Sequence, residues 1–350
     1  MGKIKIGNYL IDQNSKPFVI AEVGINHNGE LNKAYEMIKS AKYAGADCVK
    51  FQTFSAEEFV GNPDQTYTYK SQGKEVTESM LEMFKRYEFA RDEWFQIKQK
   101  CEDEGIMFLS TPQNRSDLDL LLEIGINAIK VGSDDFTNIP LLKDYSQTGL
   151  PLMLSCGMAD LAEVYQALDA VGTFEGYPTI LFLCTSQYPT PPEDTNLLKL
   201  KTLRNTFPDL ILGFSDHTQG FLAASVAVGM GAVVFEKHFT LDNNFAGPDH
   251  WFSANPNDLK LWVDSIKKAN LMLGDSVIRP TKQEREMRVL ARRSIVAIND
   301  IKAGEVLNFE NIGLKRPGNG LSAQLLENIT GLKAIKDIKA SSLLKYGDFE

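Results

Sequence analysis

Short apolar runs alternate along this chain with stretches whose apolar positions recur every three to four residues. The runs are Phe18–Glu22, Cys48–Gln52, Met107–Ser110, Ala128–Val131, Leu152–Ser155, Ile180–Cys184, Ile211–Ser215 and Val233–His238. Runs this short, rich in Val, Ile, Leu and Phe, suit strands covered on both faces. The helical stretches between them include Asn32–Ala44, Asp92–Glu104, Leu118–Ile124, Leu161–Val171, Leu197–Phe207 and Phe221–Val228. After the last run, Pro256–Met272 has Asn255 as a cap, Pro256 at its first position and Gly274 beyond its end, the expected punctuation of a helix. Eight strand–helix units within about 270 residues predict an α/β fold, a (β/α)8 TIM barrel, with a doubly wound open sheet as the alternative.

Two regions depart from the alternation. The stretch from Phe54 to Tyr87 is too long for a tight connection, and long loops on barrels serve as lids or partner contacts. After residue 278 a charged segment, Arg279–Arg293, reads as a linker with helical propensity. Residues 294–350 then read as a small, mostly β domain. That domain echoes itself, Asp300-Ile-Lys-Ala-Gly-Glu-Val-Leu against Asp337-Ile-Lys-Ala-Ser-Ser-Leu-Leu, as two hairpins related by a pseudo-twofold would. About 60 residues make a marginal core alone, so this domain is expected to lean on the barrel or on a second subunit.

The net charge of -9 argues against nucleic acid and membrane surfaces as partners, since both demand clustered Lys and Arg. An anionic substrate would need a locally positive site. Four widely spaced cysteines without a C-x-x-C point to reduced, buried thiols, and with no signal-like N-terminus a cytoplasmic protein is expected.

Barrel enzymes place their chemistry at the C-terminal ends of the strands. Here those ends supply Glu22, Lys50 with Gln52, Thr111, Lys130 with Ser133, Ser155, Ser186 with Tyr188, Ser215 with His217, and Glu236 with His238. Side chains two apart share a strand face, so His217 and His238 look into one cavity and could hold a divalent metal with most of its sphere open. Two lysines among hydroxyls and glycine-flanked amides suit a phosphate or carboxylate. The alternatives for the lysines are buried ion pairs with Glu22 or Glu236, or a Schiff base. Of the remaining histidines, His27 reads as a loop hydrogen bonder and His250 as a rim residue. Trp251-Phe252 reads as packing.

The segments Ala21-Glu-Val-Gly-Ile-Asn-His-Asn-Gly29, Val49-Lys-Phe-Gln-Thr53, Lys130-Val-Gly-Ser133, Leu154-Ser-Cys-Gly-Met158, Cys184-Thr-Ser-Gln-Tyr-Pro189, Ser215-Asp-His-Thr218, Glu236-Lys-His-Phe-Thr240, Gly247-Pro-Asp249 and Lys315-Arg-Pro-Gly-Asn-Gly320 together resemble the sialic acid synthase family. The resemblance implies a barrel followed by an antifreeze-like (β-clip) domain. It implies condensation of phosphoenolpyruvate with an N-acetylated hexosamine, N-acetylmannosamine or a close relative, to a nine-carbon 2-keto acid and phosphate, with a diacetamido-trideoxyhexose as the alternative sugar. It also implies a manganese ion (with Mg2+ or Co2+ as substitutes) and a domain-swapped homodimer. By position, His217 and His238 would hold the metal, and Glu22 would be the acid/base group with Glu236 assisting. Lys50, Lys130, Ser133, Ser155, Ser215 and Thr111 would bind the phosphate and carboxylate. Tyr188 and Asp249 would touch the sugar, and Arg316 would reach its acyl-amide end from the other subunit. Gln52 and Ser186 complete the expected substrate contacts. Ser186 stands where the family often has an asparagine. Legionaminate and pseudaminate synthases share these motifs and differ at the sugar contacts.

Overall fold

The computed structural model describes residues 2–350, and the chain divides into two compact units, residues 1–274 and 275–350. The first is built on eight parallel strands: β1 (Phe18–Gly24), β2 (Cys48–Thr53), β3 (Met107–Pro112), β4 (Ile129–Val131), β5 (Leu152–Ser155), β6 (Thr179–Cys184), β7 (Ile211–Ser215) and β8 (Val234–His238). They pair in the order β3-β2-β1-β8-β7-β6-β5-β4, and β3 and β4, the two ends of that order, lie side by side to round off the barrel. The helices that follow the strands are α1 (Leu31–Ala44), α2 (Arg91–Glu104), α3 (Arg115–Ile124), α4 (Ile139–Ser146), α5 (Leu161–Ala170), α6 (Leu198–Thr206), α7 (Leu222–Gly229) and α8 (Pro256–Leu273). The open-sheet alternative is thereby set aside. Among the described residues no helix is long and apolar enough to cross a membrane.

Every strand alternates, with one face to the helices and one to the barrel axis. Val19, Ala21, Val49, Phe51, Leu181, Leu212 and Phe235 pack outward in one large core with the helices. Phe18, Ile20, Cys48, Leu109, Met153, Ile180, Phe182, Ile211 and Val234 form a separate interior cluster, joined by Ile4, Ile6 and Ile11 of an N-terminal hairpin. Continuing each inward row by one step of two reaches Glu22, Lys50, Thr111, Lys130, Ser155, Cys184, Ser215 and Glu236, all buried. The interior is therefore an apolar floor under a polar layer.

One outward pair of charges is also buried. Lys237 on β8 lies 3.2 Å from Asp216 and donates to the Thr218 carbonyl, while Trp262 of α8 donates to Asp216 at 2.8 Å. These contacts tie the last helix to the strand ends that carry both histidines.

One expectation is revised and another is filled out. The stretch after β2 is not a plain loop: Thr66–Ser71 and Lys74–Ser79 form an antiparallel hairpin. Its turn is Gln72-Gly73, both at positive φ, a less conspicuous turn pair than Asn-Gly. The segment 279–293 is mostly helix, α9 (Lys282–Ala291), opened by a reciprocal Thr281/Glu284 capping box, and it falls within the second unit.

In that unit β9 (Ser294–Ala297) pairs with β10 (Ile312–Lys315) over a core of Ile295, Ile301, Leu307, Ile312, Ile338 and Leu344. The internal echo has a physical counterpart. Ile301 and Ile338 exchange backbone hydrogen bonds at 2.8 Å. Asp300 accepts from the Ala340 amide and pairs with Lys339, both at 2.8 Å. Asp337 accepts from the Ala303 amide at 3.0 Å and pairs with Lys302 at 2.8 Å. The two copies clasp each other reciprocally about a local twofold.

The interior of the barrel leaves no room at Gly213, where a Cβ would meet the Phe182 ring at 2.7 Å. Gly213→Ala is expected to destabilise the protein by about 1–3 kcal/mol through overpacking, read as a lower urea midpoint with an unchanged slope. Stability equal to the parent would show that Phe182 yields freely.

Candidate active site

At the C-terminal end of the barrel lies a cavity of about 330 Å³. Its floor is the polar layer. Lys50 Nζ sits 2.7 Å from Glu22 Oε2 and 3.7 Å from Glu236 Oε2, and donates to Thr111 Oγ1 at 3.0 Å. Lys130 Nζ donates to Ser155 Oγ at 2.7 Å and to the Val131 carbonyl at 3.1 Å, with Glu236 Oε1 at 3.5 Å. Ser215 donates to that same Glu236 oxygen at 2.9 Å. Gln52 donates to Glu22 Oε1 at 3.3 Å. The ion pairs weighed for the two lysines are thus present, and both ammonium groups still line the cavity.

The two carboxylates differ in character. Burial pushes Glu22 up to about 7, against the pull of Lys50 and with added repulsion from Glu236. Burial acts on Glu236 in the same sense, but Lys130, Lys50 and the Ser215 hydroxyl outweigh it and hold that carboxyl below its usual range. Neighbouring carboxyls pushed apart in this way are suited to separate acid and base roles. Burial opposes charge on both lysines; Glu22 and Glu236 override it at Lys50, whose pKa rises, but not at Lys130, whose pKa falls.

His217 and His238 face each other across the rim with ring centroids 5.6 Å apart. His217 Nδ1 lies 2.7 Å from the Thr185 carbonyl. A carbonyl only accepts, so Nδ1 carries a proton and the ring is oriented from outside, as outer partners orient a ligating imidazole; burial opposes charge on His217, but Cys184 and the Thr185 carbonyl outweigh it and raise its pKa. His238 Nδ1 is buried without a hydrogen-bond partner, with Asp249 Oδ2 at 3.8 Å. Burial, then His217 and Lys50, drives His238 well below the usual histidine range, so it is neutral, as ligation requires. The pair fits a divalent cation. Among the described residues no group of three His, Cys, Asp or Glu side chains is arranged to hold one, so most of such an ion's sphere would be left to other ligands.

Tyr188 packs its ring 4.2 Å from His217 and 5.6 Å from His238. Phe252 closes on Tyr188 and His238 at 5.1 and 5.4 Å, so it packs against site residues rather than in a remote core. Ser133 accepts from the Gly157 amide at 3.0 Å, and Ser186 Oγ is buried and unpartnered at the cavity. Of the expected residues, two do not line the cavity: Asp249 stands behind His238, its Oδ2 3.8 Å from the ring, and Arg316 lies in the second unit after β10. His27 is a loop hydrogen bonder, accepting from the Gly29 amide at 3.0 Å. His250 is not a rim residue: it is fully buried, held by Thr240 at 2.7 Å and Asn28 at 2.9 Å.

Sequence reasoning missed Phe59, Phe84, Gln113, Asp134 and Met158, which also line the cavity. All sit beyond the strand ends, where no period-two rule applies. Phe59 and Phe84 come from the insertion after β2, and only its length marked it.

Comparison with known proteins adds the rest. Residues 37–278 match the NeuB family and residues 292–350 match the SAF domain. The chain is 40% identical, over 99% of both chains, to an uncharacterized protein of Methanocaldococcus jannaschii. It is 37% identical, over 95% of this chain and 94% of the other, to N,N'-diacetyllegionaminic acid synthase of Legionella pneumophila. The crystal structure of N-acetylneuraminic acid (sialic acid) synthetase from Leptospira borgpetersenii, in complex with citrate, superposes with a TM-score of 0.73 at 33% identity, over 81% of this chain and 94% of that one. With its eight-stranded barrel, its C-terminal SAF domain and relatives named as sialic and legionaminic acid synthases, this chain belongs to the NeuB family.

Proposed function

We propose that this protein condenses phosphoenolpyruvate with an N-acetylated amino hexose in its open-chain form, giving a nine-carbon 2-keto acid and phosphate. The observation that carries the reading is two lysines buried among hydroxyls in the same cavity as two facing imidazoles, one of them neutral. A buried cation surrounded by donors accommodates an anion, and phosphoenolpyruvate carries both a carboxylate and a phosphate. Lys50, Lys130, Thr111, Ser155, Ser215 and Ser133, the last oriented by the Gly157 amide, would hold it. His217 and His238 would hold a divalent ion, Mn2+ in the first instance, whose contribution is to polarise the sugar aldehyde. The enol carbon attacks that aldehyde, and water adds at C2. Glu22, able to bind a proton near neutrality, takes up and returns the proton at that centre, and Glu236 holds both lysines in place. Phosphate leaves with its bridging oxygen. Tyr188 and Asp249 would face the sugar, with Gln52 and Ser186 completing the contacts.

The sugar is expected to be a diacetamido-trideoxyhexose rather than N-acetylmannosamine. The 37% identical relative named as an N,N'-diacetyllegionaminic acid synthase favours it. A panel of both sugars and their epimers with phosphoenolpyruvate and Mn2+, read as phosphate release, tests this. Bridging heavy oxygen should appear in the phosphate. Label kept in the keto acid, or no release with any sugar, would overturn the reaction.

His217→Ala and His238→Ala are each expected to abolish turnover and to weaken Mn2+ binding measured by calorimetry. Full activity of the double variant after chelation would remove the metal from the proposal.

Arg316 is proposed to act on the partner subunit's barrel in a domain-swapped homodimer. Mixing inactive His217→Ala with inactive Arg316→Ala under subunit exchange should restore part of the activity, because one hybrid site carries neither defect. No recovery with exchange verified would place Arg316 on its own barrel.

A further inference from the structure

The hairpin inserted after β2 is exposed along most of its first strand and half of its second, and within Thr66–Ser71 the single buried residue is Ser71, at the tip. A ribbon buried only at its tip is docked by its tip. The Gly247 amide donates to Ser71 Oγ at 3.1 Å in a buried contact. Gln72 Nε2 donates to the Asn244 carbonyl at 2.9 Å. Lys70 Nζ sits 4.7 Å above the Trp251 ring, a cation–π contact. All three partners lie on the loop that follows β8.

The sheet order makes this contact unusual. β2 is separated from β8 by β1, so the ribbon passes over the loop after β1 to reach its target. Its base is firmly held. Glu78 accepts from Tyr69 at 2.6 Å and from both Arg86 nitrogens at 2.6 and 2.8 Å. Between that base and the docked tip, the ribbon links two sides of the cavity. The segments flanking it carry Phe59 and Phe84, which line the cavity. The loop at its tip carries Asp249, 3.8 Å from His238, and Phe252, packed on Tyr188 and His238.

We infer that residues 66–79 are a strap that positions the Asp249–Phe252 segment against His238, with Ser71 and Gln72 as positioning residues for the sugar. The loop has other ties: Asn28 holds the Ala246 carbonyl and His250. Within the loop, Ser253 donates to the Asp249 carbonyl at 2.6 Å. The strap adds contacts at Asn244, Gly247 and Trp251, on both sides of Pro248 and Asp249. Two anchors flanking a short segment restrict its motion far more than one, and displacement of about 1 Å at a binding group is enough to cost up to about a hundredfold in rate.

The inference rests on the proposed reading that Asp249 faces the sugar, so its test has one arm that needs no turnover. In Ser71→Ala/Gln72→Ala, hydrogen exchange of the peptide spanning 241–254 should quicken while barrel strands keep their protection. With the sugar that the panel selects, KM for the sugar should rise by about tenfold while KM for phosphoenolpyruvate stays within about twofold. Ser71→Thr, which keeps the hydroxyl, should return both readouts toward the parent. Unchanged exchange in 241–254 would overturn the strap itself. Quickened exchange with both KM values unchanged, or raised equally, would overturn its role toward the sugar. Failure of every sugar to react, with the exchange result as expected, would count against the proposed reaction and leave the strap standing.

Discussion

The constraint on which this structure turns is the burial of two lysines and two glutamates in one layer of the barrel. Glu22, Lys50, Lys130 and Glu236 are each at most 5% exposed. An isolated charge in such a place is prohibitive, and removing one member of a buried pair costs about 3–5 kcal/mol. The group survives because each lysine has a carboxylate and a hydroxyl within reach. Glu236 bridges both lysines. The tension between burial and pairing is also what makes the layer chemically useful. It separates the two carboxyls in acidity and keeps two cations where an anionic substrate could meet them.

Everything around the layer serves to keep it dry below and open above. Phe18, Ile20, Ile180, Phe182 and their neighbours seal the floor, with the N-terminal hairpin beneath them. Above, Tyr188, Phe252 and the two histidines form a rim that is half aromatic. Outside the barrel, the Asp216–Lys237–Trp262 contacts hold the ends of β7 and β8 from behind. His238 therefore stands at the end of a strand fixed on both faces and His217 two residues beyond another, the rigid support that a binding constellation needs.

The insertion after β2 and the loop after β8 add what the strands cannot. Strand ends deliver side chains in fixed rows, but the far side of the cavity and the approach to His238 depend on segments with no periodicity. The hairpin solves this with local chemistry: a tip serine, a glutamine and a lysine each find a partner more than 170 residues away in sequence.

Much of this was legible in the chain itself. Short runs of Val, Ile, Leu and Phe marked all eight barrel strands, because a strand covered on both faces must be apolar throughout. Where such a run ended in Glu, Lys, Ser or His, the period of two put those residues on the inner face, and the structure gathers them there. The repeated Asp-Ile-Lys-Ala in the second unit likewise announced its local twofold. What the sequence left undecided were features set by distant partners. His250 looked like a rim residue and is buried, because Thr240 of its own loop and Asn28 of the loop after β1 satisfy both ring nitrogens. The hairpin at 66–79 lacked an Asn-Gly turn, and its partners lie on a loop across the barrel mouth. Phe59 and Phe84 reach the cavity from short helices flanking the hairpin, Ala56–Phe59 and Met80–Lys85, and Gln113 and Asp134 from loops, along courses no local rule specifies. Periodicity fixes a side chain's direction within an element; only packing between elements decides which loops meet, and that is where the mouth of this site is made.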